Sequence, residues 1–335
     1  MIVTRSPLRV SFLGGGSDYK EFFSKESGYV LGSSINQYVY VTLMKLPKFA
    51  EENYRFTYRV TESVDRIFDF KHPVIKTSLS AKDWKESINV ATMADLPGRS
   101  GLGSSSSFTV ALELALATYK KIEVDPYKLA MSAIEIERDI LREPGGYQDQ
   151  FQASFGGLNL YEFSSNGVRV HPNNLKSNIL SELSNSLVLA PVKKWRDSGE
   201  FAANTVKAIS KTKEFQIISE MAGRARATFD FINEANSYAD IIHRLSSEIN
   251  WGWEQKIWLS GGTIDKKVIQ LIERGIAKGA LAGRMCGAGG TGFILFLVDS
   301  KNRESFTESF KAEDPFPISI ENRGCRVVLD ESNEI

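Results

Sequence analysis

Residues 96–107 read LPGRSGLGSSSS and continue at 108–119 into the apolar stretch FTVALELALATY. The three glycines let backbone N–H groups turn towards a ligand. A helix that begins at Ser104 leaves its first N–H groups unpaired at the positive end of its dipole. This arrangement is typical of a phosphate site, in which serine hydroxyls add donors or bind a magnesium ion. The alternative is a turn with Ser104 as a helix cap, but four consecutive serines exceed what capping needs.

Composition limits the classes of protein to which the chain can belong. A length of 335 residues favours two domains, at a prior of roughly 150 residues per domain. Lys plus Arg equals Asp plus Glu at 41 each, so no global field would hold a nucleic acid or an anionic membrane, and any anion must be bound locally. With neither a signal peptide nor a long apolar run, we expect a cytoplasmic protein. Two cysteines and three scattered histidines argue against a disulfide framework or a zinc site.

The spacing of hydrophobic residues predicts an α+β fold. It changes near residues 165–195, from mainly short strand patterns to mainly long helical patterns. Short β-branched and aromatic runs predict strands at 8–13, 38–43, 55–60, 87–91, 156–163, 186–192 and 292–298. Apolar residues at helical spacing predict helices at 104–121, 126–141, 198–211, 213–234, 237–259 and 265–279. No internal repeat is present.

A second glycine-rich stretch, PGGYQDQFQASFGG at 144–157, places Asp149 between two glutamines in a predicted loop. A carboxylate in such a position can accept the proton of a substrate hydroxyl, as phosphoryl transfer requires. Glu137, on the preceding helix, could then supply an oxygen to Mg²⁺. Spacing alone favours another interpretation of Glu137, a charged helix surface with local ion pairs.

The third glycine-rich stretch is MCGAGGTGFILFLV at 285–298. By itself it predicts no more than a tight hairpin or a bulge that leads into a buried strand.

Together and in this order, the three stretches resemble the motifs of the GHMP kinases, a family named for galactokinase, homoserine, mevalonate and phosphomevalonate kinases. SPLRVSFLGGGSDY at residues 6–19 is similar to the N-terminal substrate motif of that family. The resemblance covers nearly the whole chain. It implies a two-domain architecture: residues 1–180 as an ATP-binding domain like the second domain of ribosomal protein S5, and residues 181–335 as a ferredoxin-like domain. ATP and substrate are expected between them.

The resemblance also implies roles for individual residues. Asp149 is the expected general base, and Arg9 beside it would stabilise charge on the transferred phosphoryl. Ser105 and Glu137 are the expected Mg²⁺ ligands. The residues expected to bind ATP are Pro97, Gly98, Gly101, Leu102, Gly103, Ser104, Ser105, Ser106, Gly287, Gly289 and Gly290. The residues expected to bind the substrate are Gly15, Gly16, Ser17, Asp18, Gly146 and Arg196.

Within the family, the chain looks most like the branch that phosphorylates the anomeric C1 hydroxyl of D-glycero-D-manno-heptose 7-phosphate for surface polysaccharides. A phosphorylated acceptor needs cationic donors, for which Lys193, Lys194 and Arg196 are candidates, with a solvated loop as the alternative. Two other functions stay open. The acceptor could be fucose, galactose or an unphosphorylated heptose, or the chain could be a non-catalytic sensor of nucleotide or sugar. A serine hydrolase is a poorer third, since the sequence has no GxSxG. The sequence does not specify an oligomeric state.

Overall fold

The computed structural model describes residues 1–98, 100–192, 205–287 and 292–332. Its strands are β1 (Ile2–Leu13), β2 (Gly28–Lys45), β3 (Tyr54–Thr57), β4 (Thr61–Val64), β5 (Ile88–Ala94), β6 (Leu158–Ser164), β7 (Gly167–Pro172), β8 (Leu187–Val192), β9 (Ala282–Met285), β10 (Gly292–Leu297), β11 (Phe316–Pro317) and β12 (Arg326–Asp330). The helices used below are α1 (Lys20–Phe23), α2 (Pro73–Ala81), α3 (Ser104–Tyr119), α4 (Pro126–Ile134), α5 (Gln148–Phe155), α6 (Ser177–Ser184), α7 (Thr212–Glu234), α8 (Tyr238–Leu259), α9 (Lys266–Ala277) and α10 (Arg303–Ser309).

The first sheet is organised around the long strand β2. Antiparallel β1 covers one edge of β2, while the other edge is shared between β6, along Gly28–Ser33, and β5, along Val39–Lys45. The described path of strands runs β12-β1-β2-β5-β3-β4, and β6 carries β7. Helix α3 packs against β1 and β2, where its apolar residues are buried. The helix that follows the serines is therefore anchored to the centre of this sheet.

The second sheet is antiparallel in the order β11-β8-β10-β9. Every residue of β10 is buried, as expected of a continuous apolar run without alternation. Helices α8 and α9 pack against β9 and cover this sheet.

After β11 of the second sheet, the chain returns to the first sheet and forms strand β12 there. β12 pairs antiparallel with the beginning of β1, and Asp330 lies opposite Ile2. Residue 180, where we expected one domain to end, lies inside α6. The division into residues 1–180 and 181–335 therefore stays a prediction, and it would separate β12 from the sheet that it completes.

Two predicted elements near the site take another form. Asp149 lies in the first turn of α5 instead of a loop, because buried Phe151 and Ala153 anchor a short helix between the flanking glycines. The helix predicted at 126–141 is α-helical only to Ile134 and continues as a π-helix over Glu135–Ile140. Strands β4 and β7 and helix α2 had no clear signal in the hydrophobic period.

Candidate active site

The N-terminus of α3 is open to a ligand. Gly103 precedes it in the left-handed conformation, with φ +75°, and no side chain of the described residues caps the helix. The N–H of Ser107 donates to the carbonyl of Gly103 at 2.9 Å, so the preceding N–H groups, those of residues 104–106, lie at the helix end. Unpaired N–H groups at the positive end of a helix dipole attract phosphate. The structure is thus compatible with the predicted phosphate site.

Arg9 and Asp149 form a two-point ion pair. Nε and Nη2 of Arg9 donate to the two carboxylate oxygens of Asp149 at 2.7 and 2.8 Å, and Nη1 donates to the carbonyl of Gly101 at 2.5 Å. Burial opposes the charge of Arg9, but the charge and hydrogen bonds of Asp149 outweigh it and raise the pKa of the guanidinium. Arg9 is buried, whereas the side chain of Asp149 keeps 21% of its surface exposed. The carboxylate is therefore fixed in orientation and still reachable by a ligand.

The glycine-rich loop passes directly over this ion pair. A Cβ on Gly103 would lie 3.1 Å from Cγ of Arg9 and 3.4 Å from Oδ2 of Asp149. The carbonyl of Leu102 accepts a hydrogen bond from the Arg9 amide at 3.0 Å. The structure therefore brings the predicted base, its arginine and the loop before α3 into one cluster.

The third glycine-rich stretch packs on the first. A Cβ on Gly101 would lie 2.8 Å from the carbonyl oxygen of Cys286, and one on Gly287 would lie 2.6 Å from Cα of Gly101. A Cβ on Gly292 would meet the carbonyl oxygen of Ser100 at 1.9 Å. This close contact of backbones requires glycine, so the stretch joins the second sheet to the phosphate loop and is more than a hairpin.

Glu137 lies in a buried polar network. It is on the π-helix, and its side chain accepts hydrogen bonds from Oγ of Ser106 at 2.8 Å, from Oγ1 of Thr109 at 2.8 Å and from Nε2 of Gln150. Its residue is 0% exposed, so the charged-surface interpretation that spacing favoured is wrong. The network ties α3, the π-helix and α5 together.

Ser106 contacts Glu137, whereas Ser105, the predicted metal ligand, is exposed and makes no hydrogen bond with Glu137. The donor chemistry fits Mg²⁺, which takes oxygen ligands at about 2.0–2.1 Å, so that neighbouring ligands lie about 3 Å apart. The 2.8 Å between the Ser106 hydroxyl and the Glu137 carboxylate is close to that spacing. Among the described residues there is no cluster of three or more His, Cys, Asp or Glu side chains, and Mg²⁺ bound to nucleotide phosphates needs none.

Asp18 holds the N-terminal motif against the start of α5. Its carboxylate accepts from the Gly16 amide at 3.0 Å and from the amide and side chain of Gln148 at 3.2 and 3.0 Å. A Cβ on Gly146 would lie 1.8 Å from Oδ2 of Asp18, so glycine is required there. Burial, and then the charge of Asp149, raises the pKa of Asp18, although the amides of Gly16 and Gln148 oppose this.

The other residues of the N-terminal motif differ in their surroundings. Ser17 is buried, and its hydroxyl donates to the carbonyl of Gly14 at 2.7 Å and accepts from the Tyr29 amide at 3.0 Å. These are contacts of a turn, so the predicted role of Ser17 in substrate binding stays a prediction. A Cβ on Gly15 would meet Nε2 of Gln148 and Oγ of Ser11 at 3.9 Å, which is ordinary van der Waals contact, so a small side chain could be accommodated there.

Several predicted residues do not join the cluster. Pro97 and Gly98 are exposed, and a Cβ on Gly98 would meet no atom within 4 Å. The remaining predicted residues lie outside the described part of the chain: Lys193, Lys194, Arg196, Gly289 and Gly290.

Two cations, the partly buried Lys256 and the buried Arg284, were not among the predicted site residues. Lys256, on α8, donates to the carbonyls of Met285 (3.4 Å) and Gly287, and Arg284, on β9, donates from Nη1 to the carbonyl of Phe12. Burial, and then the charge of Arg284, lowers the pKa of Lys256 well below its ordinary value. Burial also lowers the pKa of Arg284 to about 10. A lysine inside an amphipathic helical pattern gave no sequence signal, because only the fold brings it to the glycine loops.

In the described segments, no helix is both long enough and apolar enough to cross a membrane.

Comparison with known proteins identifies the family. The sequence matches the GHMP kinases N terminal domain over residues 70–157 and the GHMP kinases C terminal domain over residues 239–312. It is 29% identical to D-glycero-alpha-D-manno-heptose 7-phosphate kinase of Campylobacter jejuni, over 94% of each chain. It is 22% identical to a galactokinase of Pyrococcus furiosus, over 93% of each.

Solved structures show the same fold. A D-glycero-D-manno-heptose 1-phosphate kinase from Bacteroides thetaiotaomicron superposes with a TM-score of 0.77 at 24% identity, over 98% of this chain and 99% of the other. Lactococcus lactis galactokinase with galactose gives 0.73 at 16% identity, over 97% and 94%. The matches to the N-terminal and the C-terminal domain of one family, together with the shared fold, establish the two-domain architecture. The chain belongs to the GHMP kinase family and is a phosphotransferase with an alcohol group as acceptor.

Proposed function

We propose that the chain transfers the γ-phosphoryl group of MgATP to the anomeric C1 hydroxyl of a sugar phosphate, D-glycero-D-manno-heptose 7-phosphate. Membership of a kinase family implies the use of ATP. The observation that carries the proposal is the Arg9–Asp149 ion pair directly beneath Gly103, at the N-terminus of α3. A base for a hydroxyl thus adjoins a site for phosphates.

The proposed reaction is a direct in-line transfer. The C1 oxygen forms a bond to the γ-phosphorus, the bond from that phosphorus to the β–γ bridging oxygen breaks, and ADP leaves. Asp149 accepts the hydroxyl proton, and Arg9 orients its carboxylate and offsets charge on the phosphoryl. No nucleophilic side chain is needed in this reaction, in which the serines of α3 would bind phosphate.

We propose the metal site at the same helix end. Glu137 would hold Mg²⁺ together with a serine of the first turn of α3, and the ion would neutralise charge on the β- and γ-phosphates. The distance between Ser106 and Glu137 supports Ser106 for this role, whereas the resemblance supports Ser105.

The choice of acceptor rests on two features. Gly15 places no acidic side chain in the N-terminal motif, and this favours an anionic ligand. The curated relative acts, by its name, on heptose 7-phosphate, and it aligns with almost the whole chain. The Bacteroides structure is described as a heptose 1-phosphate kinase, so the two descriptions agree on heptose and differ in the phosphate position.

The decisive experiment is a screen of ADP release with ATP and Mg²⁺ over sugars and sugar phosphates. We expect heptose 7-phosphate to give the highest kcat/KM and Asp149→Asn to abolish the signal. If galactose, fucose or unphosphorylated heptose gave the highest activity, the proposed acceptor would be wrong but the proposed phosphoryl transfer would stand. ATP binding without turnover on any sugar would instead favour the non-catalytic sensor.

A further inference from the structure

Within the described residues, Lys256 and Arg284 keep hydrogen-bond donors without a partner. An ammonium has three N–H groups, and two of those of Lys256 go to the carbonyls of Met285 and Gly287. Arg284 is 4% exposed, and its Nε is buried without a hydrogen-bond partner in the described structure. Unsatisfied buried donors are rare in folded proteins, and their presence points to a ligand.

Among residues 1–98, 100–192, 205–287 and 292–332, no anionic group balances the charge of this pair. No described carboxylate forms an ion pair with Lys256 or Arg284, and the carboxylate of Asp149 is taken up by Arg9. The thiol of Cys286 is the adjoining acidic group, and burial raises its pKa, which favours its neutral form. The buried Arg284 and the partly buried Lys256 therefore lack an anion in the described structure, and anion binding would offset the cost of this burial.

The pair links the loop that packs on the phosphate loop to the start of the N-terminal motif, since Lys256 bonds Gly287 and Arg284 bonds Phe12. Arg284 bonds the carbonyl of Phe12, and a Cβ on Gly252, one turn before Lys256, would lie 2.7 Å from Cδ1 of Leu13. Phe12 and Leu13 lead directly into the glycines of the N-terminal substrate motif. The cations thus lie where the acceptor stretch begins, within electrostatic range of Arg9.

We propose that Lys256 and Arg284 form a second anion site, which binds the phosphate group of a phosphorylated acceptor. The identity of the ligand rests on the proposed function. The phosphate loop keeps its proposed role in binding ATP. A phosphate monoester dianion matches two neighbouring cations, of which Arg284 can donate from a planar fork.

The test compares Lys256→Met and Arg284→Met with Lys267→Met, an exposed lysine on α9 that gives the same change of charge. Binding of inorganic phosphate and of heptose 7-phosphate is measured by calorimetry without nucleotide, and KM is measured for each substrate. We expect both variants of the pair to weaken sugar phosphate binding roughly ten- to hundredfold. The KM for ATP and the binding of unphosphorylated heptose should stay as in the wild type and the Lys267 variant.

Other outcomes overturn the proposal in different ways. A selective rise in the KM for ATP would assign the cations to the nucleotide. Equal losses for both substrates, with a lower Tm and no recovery in Lys256→Arg or Arg284→Lys, would make them purely structural. If no sugar is turned over but phosphate binding depends on both residues, the proposed function fails while the anion site stands.

Discussion

Asp149 has both carboxylate oxygens bonded to one guanidinium, which leaves it little freedom to rotate. A base held in this way can face a hydroxyl without losing further conformational entropy when substrate binds. The same ion pair is contacted by Gly103, so acceptor and phosphate groups would meet within one small volume.

Asp149→Asn keeps the size of the side chain and removes the proton acceptor. We expect kcat to fall roughly 10²- to 10⁴-fold with little change in nucleotide affinity, because the α3 N-terminus is untouched. The measurements are steady-state turnover and equilibrium binding of ATP. Asp139→Asn, at an exposed position of the π-helix, is the matched control. Turnover close to that of the control would remove Asp149 as the base.

Ser106→Ala and Ser105→Ala separate the two candidate metal ligands. Ser106 bonds Glu137, so we expect Ser106→Ala to raise the Mg²⁺ concentration for half-maximal rate about tenfold or more, and Ser105→Ala to raise it less. Titrating activity with Mg²⁺ at saturating ATP gives both values. The opposite order would restore Ser105 as the ligand.

We expect Lys256 to make the free energy of unfolding depend on pH. Its folded-state pKa is lowered by burial and by Arg284, with Arg9 adding to the effect and Cys286 opposing it. Above the lowered pKa, the unfolded chain binds more protons than the folded chain, so the free energy of unfolding rises with pH until the ordinary lysine value near 10.5.

The check is chemical denaturation across that pH range for wild type and Lys256→Met. The free energy of unfolding should rise more steeply with pH in the wild type than in the variant. Other titrating groups are common to both proteins, so the difference in slope reports Lys256. Identical slopes would contradict the inferred burial of the ammonium.

At the scale of elements, prediction succeeded where a pattern was local. Glycines followed by serines and an apolar run specify the start of α3, and the run at 292–298 specifies β10. The π-helix was not predictable, since its single wide turn depends on Glu137 reaching Ser106 and Gln150 from other elements. Helix α5 was missed because eight residues between glycine pairs have weak local preference, and tertiary burial of Phe151 decides their conformation.

Gly103→Ala tests the loop that joins these elements. A left-handed alanine costs about 1–2 kcal/mol, and the added Cβ would press on Arg9 at 3.1 Å. We expect a lower free energy of unfolding by that amount and a lower kcat, measured by denaturant titration and turnover. Gly223→Ala, on α7 at a position with open space and no positive φ, should lower neither. Full activity in Gly103→Ala would show that the loop has room to relax.

At the scale of the whole molecule, the candidate site is assembled from both sheets. The first sheet supplies β1, and the second brings β9 and Gly287 against the phosphate loop. Sequence motifs predicted this meeting through a family resemblance, whereas Lys256 and Arg284 became visible only in three dimensions. Residues distant in sequence share no local pattern, so their proximity follows from topology.

Removing residues 326–335 tests the role of β12. The truncation exposes the edge of β1, and we expect a lower Tm and weaker ATP binding even though no predicted site residue is lost. Removing only residues 333–335 keeps β12 and is the control. If thermal unfolding and nucleotide binding are the same in both truncations, β12 is dispensable, and the proposed boundary at residue 180 gains support.

The pairing of β12 with β1 also orders events during biosynthesis. Strand β7 ends at Pro172, and β12 begins at Arg326. At about 5–20 residues per second, a ribosome needs roughly 8 to 30 seconds to synthesise the intervening chain. Throughout that interval the nascent first sheet presents an uncovered β1 edge, which is a template for pairing with other chains. We expect chaperones to protect the β1 edge in nascent chains that end between residues 172 and 326. This protection would end when β12 leaves the exit tunnel.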